Sequence, residues 1–218
     1  MKVTLLGATG RTGKHVLDIL LQKGHSVHAL VRDHSKIKIN SDKQLFVQEG
    51  NTTNLDTLRT AMNGCEVVVS VLNISRNSDF PWSGLRTPKT LISDTIRNAI
   101  KIAKDLGTNK IIVCSAWGVS ETKEDLPGWF RWFIDNSNIA AAYRDHETQE
   151  RLLIESGLNY VIIRPAGLTS SKKNEIQVSV NNFPKPNLTI GRKATAEFIV
   201  RMLKDDTYLK KAVTISAA

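Results

Sequence analysis

The sequence predicts a doubly wound α/β domain, in which a parallel sheet is covered by helices on both faces. Short apolar runs of strand length alternate along the chain with longer segments that have a helical period. The short runs are continuously apolar, which is typical of parallel strands buried on both faces. A length of 218 residues is sufficient for one domain with a sizeable core, so we expect residues 1–218 to form a single domain.

The first half of the chain contains four predicted strands. Helical segments follow the first, third and fourth of them. In the first of these helices Val16, Ile19 and Leu20 share one face, and Gly24 ends the helix. Thr87 and Pro88 suit the cap and first position of the third helix. The predicted strands are 2–6, 26–32, 45–48 and 66–71, and the predicted helices are 12–23, 55–62 and 88–106.

The second half continues the alternation and then changes character. A strand at 110–114 is followed by a long connection to about residue 136, a helix at 140–155 and a strand at 159–164. Residues 170–193 are rich in Asn, Lys and Pro and contain a predicted strand at 176–180. We expect this segment to be a small C-terminal elaboration on the substrate side. A helix at 194–204 and a strand at 212–216 complete the chain.

Composition excludes several classes of protein. The net charge of +9 comes from basic residues spread along the chain, which favours a solvated basic face over a nucleic-acid site. No apolar run approaches the ~20 residues that span a bilayer, and no secretory signal is evident, so we expect a cytoplasmic protein without a membrane partner. Cys65 and Cys114 lie in apolar sequence without the spacing of metal ligands, so no metal is expected.

A glycine-rich segment, Gly7-Ala-Thr-Gly-Arg-Thr-Gly13, joins the first strand to the first helix. Gly7 permits a tight turn, Gly10 lets backbone N–H groups approach a pyrophosphate, and Gly13 allows the helix to pack close to the sheet. The amino end of the helix then faces the phosphates. The segment therefore predicts a dinucleotide site.

The residue at the end of the second strand distinguishes the two nicotinamide cofactors. Domains that bind NAD usually place Asp or Glu there, whereas this chain has Arg32. Arg11 in the glycine-rich loop and Lys36 supply two more cations that suit a 2′-phosphate. We therefore predict that the cofactor is NADP(H). Asp33 argues against this prediction, and the alternative interpretation is that Arg32 and Lys36 are ordinary surface charges.

Several separated motifs carry a family resemblance: the glycine-rich loop, Leu30-Val-Arg-Asp, Gly50-Asn, Glu155-Ser-Gly-Leu-Asn-Tyr and Arg164-Pro. Together they resemble the atypical short-chain dehydrogenases/reductases of the NmrA-like, NAD(P)-binding type, and among these the biliverdin and flavin reductases. The resemblance implies a Rossmann fold. It also implies a set of cofactor-binding residues, which are Gly7, Thr9, Gly10, Arg11, Thr12, Gly13, Arg32, Lys36, Asn51, Thr52, Leu72, Asn73, Arg76, Pro165 and Ala166. Asn51 departs from the Asp that is common in the family.

Three residues are candidates for catalysis. Ser115 follows the fifth strand, at the edge where α/β domains assemble their sites. Tyr143 is the weakest candidate, because Glu147 stands four residues later, where typical short-chain dehydrogenases have a Lys that lowers the tyrosine pKa. The resemblance places His146 at the usual Lys position, as a proton donor or cofactor contact; the alternative is a helix-surface histidine.

The aromatic residues of the chain concentrate in two connections. The loops after the fourth and fifth strands hold Trp82, Trp117, Trp129 and Trp132, together with Phe80, Phe130 and Phe133. Because such loops project from the carboxyl edge of the sheet, the tryptophans are predicted to line a pocket for a flat ring system. The alternative is a helix that packs on its own domain or on another subunit.

These observations favour an NADPH-dependent reductase that transfers hydride to a flat aromatic acceptor such as a flavin, a quinone or a tetrapyrrole. The expected partner is therefore this small-molecule acceptor. One alternative is an NmrA-like redox sensor that binds NADP without turnover and contacts a regulatory protein partner. A second is the epimerase or dehydratase chemistry of the wider family, which the missing Tyr–Lys pair disfavours.

Overall fold

The computed structural model describes residues 1–37 and 43–218. Strands and helices alternate along this part of the chain, as the apolar pattern predicts. The strands are Lys2–Leu6 (β1), Ser26–Val31 (β2), Leu45–Glu49 (β3), Val67–Ser70 (β4), Lys110–Cys114 (β5), Tyr160–Pro165 (β6), Gly167–Thr169 (β7), Ile176–Ser179 (β8), Thr189–Gly191 (β9) and Lys211–Ala217 (β10). The α-helices are Arg11–Gln22 (α1), Leu55–Met62 (α2), Leu91–Leu106 (α3), Gly128–Asp135 (α4), Ile139–Glu155 (α5) and Arg192–Arg201 (α6).

The main sheet has the strand order β3-β2-β1-β4-β5-β6-β10-β8. All neighbouring strands from β3 to β10 are parallel, and β8 is antiparallel to β10 at the edge. The chain starts in the middle of the sheet, moves out to β3 and returns to place β4 on the other side of β1. This reversal between β1 and β4 is the point where doubly wound sheets bind their ligands. The predicted doubly wound fold is confirmed.

Alternate side chains of the central strands enter two separate cores. Val3 and Leu5 of β1 belong to the core beneath α1 and α6, whereas Leu6 belongs to the core beneath α2, α3 and α5. In the first core Phe198 is the largest fully buried side chain. Because both faces of the strands are buried, polar side chains on these strands need a partner inside the protein.

The prediction for the start of α3 is wrong. The helix begins at Leu91, and Thr90 is its cap residue, instead of Thr87 and Pro88. The hydroxyl of Thr87 accepts a hydrogen bond from the Ser75 backbone N–H at 3.0 Å, so it stabilises the preceding connection. The cap of α3 comes from α5: the Asp145 carboxylate accepts from the N–H groups of Ile92 and Ser93 at 2.7 and 3.2 Å.

The remaining predicted boundaries lie within a few residues of the observed ones. In the segment 170–193, β8 covers Ile176–Ser179 and extends the main sheet, while β9 pairs with β7 in a small parallel sheet. The long connection after β5 is not irregular throughout, since it contains a 3-10 helix at Ser120–Asp125 and then α4. Within the described residues no helix is long and apolar enough to cross a membrane.

Candidate functional site

The glycine-rich loop connects β1 to α1 at the carboxyl edge of the sheet. Gly7 has a φ of +90°, and a Cβ there would lie 3.0 Å from the Val71 backbone, so the turn requires glycine. A Cβ on Gly13 would lie 2.0 Å from the Gly7 carbonyl oxygen, so α1 packs directly against the loop. Gly10 caps α1 without a side-chain hydrogen bond, and the first turn of the helix holds no acidic residue. The loop and the helix end therefore fit a phosphate group.

The polar side chains of this loop differ in exposure. Thr9 and Thr12 are half-buried, and Arg11 is exposed. The Arg11 guanidinium donates two hydrogen bonds to the Asp79 carboxylate at 3.1 and 3.2 Å, so the loop is joined to the connection after β4. Asp79 is a contact that the sequence did not suggest, because acidic residues in a loop carry no local signal of their partner.

The end of β2 holds the cations predicted to recognise a 2′-phosphate. Arg32 is exposed directly after the strand, and Lys36 lies one turn further on. Asp33 accepts hydrogen bonds from the backbone and hydroxyl of Ser35 at 3.1 and 2.6 Å, and its other oxygen lies 3.3 Å from the Lys36 ammonium. These contacts lower the pKa of Asp33, first through Ser35 and then through Lys36. The carboxylate that argued against NADP(H) is thus engaged by its own neighbours.

Asn51 and Thr52 follow β3, at the position implied for the adenine. The Asn51 carbonyl oxygen accepts from the backbone N–H and the hydroxyl of Thr53, both at 3.0 Å. That oxygen is therefore occupied, and the amide N–H₂ is the group left for a base. The Thr52 hydroxyl is buried and lies 2.8 Å from the Thr95 hydroxyl, so it already has a hydrogen-bond partner within the protein.

The connection after β4 forms a hairpin between residues 75 and 86, which we call the β4 hairpin. Arg76 pairs with Leu85 across it, and the Asn77 N–H donates to the Gly84 carbonyl at 2.9 Å. The Arg76 Nε is buried, and no partner for it lies among the described residues. Before the hairpin, Leu72 packs against the core, and the exposed Asn73 accepts from the Ile74 N–H at 2.8 Å.

Pro165 and Ala166 close the far side of the carboxyl edge. Both are buried. The Pro165 carbonyl accepts from the Trp117 N–H at 3.0 Å, and the Ala166 N–H donates to the Ile215 carbonyl at 2.9 Å.

Trp117 is less exposed than expected for a pocket residue: it is only 4% exposed and belongs to the core beneath α1 and α6. Most of its aromatic area packs in the core, and its place in the pocket stays a prediction.

Ser115 lies at the end of β5 and contacts a buried ion pair. Its hydroxyl donates to Glu150 of α5 at 2.5 Å, and Glu150 binds the Arg164 guanidinium through Nε at 3.0 Å and Nη2 at 2.6 Å. Glu121 binds the same guanidinium from the loop after β5. Burial lowers the pKa of Arg164, but the hydrogen bonds that its guanidinium donates to Glu150 and Glu121 outweigh burial and raise the pKa overall. The donor of Ser115 is therefore directed at a carboxylate.

The structure does not bring His146 and Tyr143 to Ser115 as a proton-transfer chain. His146 is 3% exposed, and its Nδ1 lies 3.2 Å from the Gln149 amide nitrogen. Burial lowers its pKa to about 4, so the ring is neutral at pH 7. The Tyr143 hydroxyl donates to the Trp117 carbonyl at 3.3 Å, and burial raises its pKa to about 12. Neither group is a ready acid or base in this conformation.

Aromatic side chains of the β4 hairpin and α4 form a cluster, which we call the aromatic patch. Its members are Phe80, Trp82, Trp129, Phe130 and Phe133, which are connected by ring contacts, and Trp132 on the same helix. Trp82 of the β4 hairpin packs edge-on against Phe133 of α4, with ring centroids 5.7 Å apart. Trp129 and Trp132 remain 67% and 63% exposed. The other close ring pairs are Phe80 with Trp82, Trp129 with Phe130, and Phe130 with Phe133. The patch therefore presents rings to solvent at the edge where the glycine-rich loop lies.

The β4 hairpin is fixed to the turn between α4 and α5. The Asn138 amide donates to the carbonyls of Trp82 and Ser83 at 2.9 and 3.0 Å, and its backbone N–H donates to Pro81 at 3.1 Å. The Trp82 indole N–H donates to the Asn136 carbonyl at 2.6 Å. These bonds hold the two aromatic segments together.

Sequence reasoning missed Glu150 and Asn138 as site residues. A signal for Glu150 exists, since His146, Gln149 and Glu150 fall with Leu153 on the buried face of α5. Polar residues at the apolar positions of a helix indicate a buried hydrogen-bond network. Asn138 has no such signal, because its partners are carbonyl groups 55 and 56 residues away.

Comparison with known proteins agrees with this geometry. A family profile described as NAD(P)H-binding matches residues 7–206. Reductase PytE of Aspergillus terreus is 26% identical over an alignment that covers 98% of this chain and 97% of the relative. Oxidoreductase GME11367 of Pestalotiopsis microspora is 28% identical, with 76% of this chain and 66% of the relative covered.

Solved structures share the fold at low identity. A short-chain dehydrogenase/reductase of Veillonella parvula has a TM-score of 0.81 at 20% identity. The alignment covers 99% of this chain and 94% of the Veillonella chain. ChuY of Escherichia coli O157:H7, described as an anaerobillin reductase, has a TM-score of 0.80 at 18% identity. The alignment covers 99% of this chain and 97% of ChuY. The profile match includes the glycine-rich loop and spans most of the sequence, and so the chain belongs to the NAD(P)H-binding family, with the fold of the short-chain dehydrogenases/reductases.

Proposed function

We propose that this protein is an NADPH-dependent reductase that transfers hydride to a flat aromatic acceptor of the flavin, quinone or tetrapyrrole class. The observation that carries the proposal is the aromatic patch beside the glycine-rich loop, with Trp129 and Trp132 exposed at its outer surface. A contiguous exposed apolar surface is typical of a site that binds a ligand or a partner. Stacking on a flat ring suits both the geometry and the apolar character of the patch.

The surrounding residues favour an acceptor that needs little acid catalysis. When bound, NADPH supplies a hydride, and a proton from solvent completes a two-electron reduction of the ring. Tyr143 and His146 are poor proton donors at neutral pH, because burial raises the pKa of Tyr143 and lowers that of His146. Ser115 keeps its donor on Glu150. An electrophilic flavin or quinone ring requires chiefly positioning, which the patch supplies.

NADPH is favoured over NADH by the charges around β2. Arg32 is exposed and Lys36 lies close by. Two carboxylates lie near them: Asp33 is engaged by Ser35 and Lys36, and Glu49 is engaged by His34. A 2′-phosphate is the anion that such cations recognise. A short-chain dehydrogenase/reductase from Veillonella parvula with a TM-score of 0.80 has been solved in complex with NADP, which supports this choice.

Named relatives support the reductase class. PytE is described as a reductase, and ChuY as an anaerobillin reductase. A tetrapyrrole is therefore a reasonable member of the acceptor set to test beside flavin and quinone. Residues 170–193, which add β8 to the sheet and pair β9 with β7, are proposed as the substrate-side elaboration of a single domain.

The test is NADPH oxidation by the purified protein with FMN, a naphthoquinone or biliverdin as acceptor, run beside NADH. We expect turnover with NADPH, and Arg32→Ala should raise the NADPH KM by roughly tenfold, because a charge-assisted hydrogen bond is worth about 1.5–3 kcal/mol. Arg151→Ala is the matched control, since Arg151 is an exposed arginine on α5 that lies 3.9 Å from Glu155. Tight NADPH binding without reduction of any acceptor would overturn the reductase proposal.

The second candidate is an NADP-binding sensor that contacts a protein partner. The same exposed Trp129 and Trp132 favour it, because uncovered tryptophans are also typical of protein interfaces. The two functions separate in one assay: the reductase consumes NADPH, whereas the sensor binds it without turnover.

A further inference from the structure

The face of the sheet that α5 covers becomes polar at β6 and beyond. Arg164 of β6 pairs with Thr214 of β10, and Thr214 pairs with Ser179 of β8, so the three side chains form one row across three strands. The row lies on the α5 face, because Arg164 binds Glu150 of that helix, whereas Val213, next to Thr214, enters the core beneath α1 and α6. All three side chains of the row are buried, so they need polar partners inside the protein.

A cavity of about 240 Å³ is lined by this row. Glu121, Thr122 and Asp125 of the 3-10 helix after β5 line one side of it, and Asn181 and Asn182, in the turn after β8, line another. None of the lining residues belongs to the glycine-rich loop or to the aromatic patch. β10 is four strands away from β1 in the sheet, which corresponds to about 19 Å. The cavity is therefore separate from the cofactor-binding loop.

Two polar atoms at this cavity have no hydrogen-bond partner among the described residues. One is the hydroxyl oxygen of Ser179, whose side chain is 1% exposed and stands in the row on the cavity side of the sheet. The other is the side-chain carbonyl oxygen of Asn182, which is also buried. A buried polar atom without a partner is costly. The pair therefore indicates a ligand that forms hydrogen bonds in the cavity.

The charges around the cavity favour a cation. Arg164 is the basic residue that lines it, and its guanidinium is bound by the carboxylates of both Glu150 and Glu121. Two carboxylates around one guanidinium leave one negative charge. Asp125, which forms no ion pair within the described part of the chain, adds another. An anionic ligand would be repelled by this surplus.

The kind of acceptor present favours an ammonium group over a metal ion. Among the described residues no three or more His, Cys, Asp or Glu side chains are grouped to hold a metal ion. Ca²⁺ takes roughly six to eight oxygen ligands, with carboxylates prominent among them. A primary ammonium group has only three N–H donors. Ser179, Asn182 and Asp125 supply three oxygen acceptors for them.

We propose that this cavity binds a short primary amine in its protonated form, with the ammonium group donating to Ser179, Asn182 and Asp125. The volume limits the occupant, because pockets for drug-sized ligands begin at about 300 Å³. An ammonium group on a short alkyl chain has two sources, which are a free amine and the lysine side chain of another protein. The site goes beyond the proposed reductase function and does not depend on it.

The test is a calorimetric titration of the purified protein with n-butylamine at pH 7 and constant ionic strength. We expect binding of n-butylamine and none of n-butanol, which has a similar size without the charge. Asp125→Asn should weaken binding by about tenfold, because it removes a charged acceptor. The matched control is Glu124→Gln, the next residue of the same 3-10 helix, whose exposed carboxylate pairs with Arg131. This control should keep the wild-type affinity.

Variants of the two unpartnered side chains test the geometry. Ser179→Ala should weaken binding by about threefold, because it removes a neutral hydrogen-bond partner. Ser170→Ala, in the exposed loop before β8, is its control and should have no effect. Asn182→Asp should tighten binding by about threefold, since it adds a charge at an acceptor position. Asn182 has a φ of +61°, which Asp also tolerates, and a gain of affinity does not arise from a folding defect.

Several outcomes would overturn the amine site. They are equal affinities for n-butylamine and n-butanol, equal losses in Asp125→Asn and Glu124→Gln, or a crystal soaked in n-butylamine that holds only ordered water in the cavity. Binding of CaCl₂ without binding of n-butylamine would overturn the choice of an ammonium group. Nα-acetyllysine methylamide identifies the source: tighter binding than n-butylamine supports a lysine side chain of another protein, and weaker binding supports a free amine.

Discussion

His146 illustrates how burial determines the chemistry of a single side chain. The family resemblance places it where related enzymes carry a lysine, but in this protein the ring is enclosed by α5 and its neighbours and is 3% exposed. Burial lowers its pKa to about 4, because desolvation disfavours the imidazolium. A neutral imidazole bonded to Gln149 can orient its surroundings, but its one N–H proton is too weakly acidic to be transferred at pH 7.

This lowered pKa makes folding stability depend on pH. The unfolded state binds a proton at His146 near its ordinary value of 6.5, whereas the folded state binds it only near 4. Stability is therefore complete above pH 6.5 and is lost as the pH falls toward 4, by up to about 3 kcal/mol. We expect His146→Gln to flatten the pH dependence of the urea unfolding free energy between pH 7 and 4.5. An unchanged slope in the variant would contradict this assignment.

Other residues of the site differ in how far the sequence reveals them. The glycine-rich loop and Arg32 are predictable, because a turn of fixed geometry and the residue after a strand are both local features. The Glu150–Arg164 pair is not evident from either residue alone, since it joins α5 to β6 through side chains that are 1% and 3% exposed. Trp117 packs in the core although it lies in a loop, and the sequence pattern does not distinguish a core aromatic residue from one that lines a pocket.

At the scale of elements, α3 and α5 are joined by a shared cap. α3 lacks a side-chain cap from its own cap residue, Thr90, and instead receives two hydrogen bonds from Asp145 on α5. Burial raises the pKa of Asp145, while the bonds from Ser93 and Ile92 lower it. The cap therefore fixes the amino end of α3 to the helix that carries Glu150.

Removing this cap should destabilise the protein. Asp145→Ala leaves two buried N–H groups without an acceptor, and we expect a loss of about 2–3 kcal/mol in the free energy of unfolding. Asp145→Asn should lose less, because its amide oxygen still accepts one bond. Asp94→Asn, at an exposed ion pair with Arg97 on the same helix, is the control and should change stability by about 0.5 kcal/mol or less. Equal urea midpoints for Asp145→Ala and Asp94→Asn would refute the role of the cap.

The helices and strands were predictable where a helix has a long apolar face or a strand is a continuous apolar run. Elements without such a pattern were harder to predict. The order of strands and helices through β6, apart from α4, follows from their period. The start of α3 was misplaced because Thr87 and Pro88 carry a strong local cap signal, whereas the true cap is a residue 53 positions away. α4 was hidden for a different reason. Its eight residues contain four aromatics, and most of them face solvent or the β4 hairpin instead of the core.

At the scale of the whole molecule, the carboxyl edge has two layers. The lower layer consists of the glycine-rich loop and the ends of β2, β3 and β6, which present backbone, cations and buried polar groups. The upper layer is the aromatic patch, carried by the β4 hairpin and α4. Asp79 joins the layers through Arg11, and Asn138 joins the two parts of the upper layer. Because the Arg11–Asp79 pair that joins the layers is exposed, we expect cofactor binding and acceptor binding to respond separately to substitution.

Trp132→Ser tests this separation. The side chain is 63% exposed, so the melting temperature should change by little, and NADPH affinity should remain within about twofold. The KM for FMN should rise about three- to tenfold, because an aromatic contact contributes roughly 0.5–1.5 kcal/mol.

The matched control for Trp132→Ser is Ile154→Ser, another exposed apolar residue, 56% accessible, near the end of α5 at the opposite edge of the sheet. It should leave the melting temperature, NADPH affinity and KM for FMN at their wild-type values. If Trp132→Ser weakens NADPH binding as strongly as it affects FMN, the two layers act as one site. If it changes neither affinity, the exposed rings serve a protein partner, and the sensor candidate is favoured over the reductase.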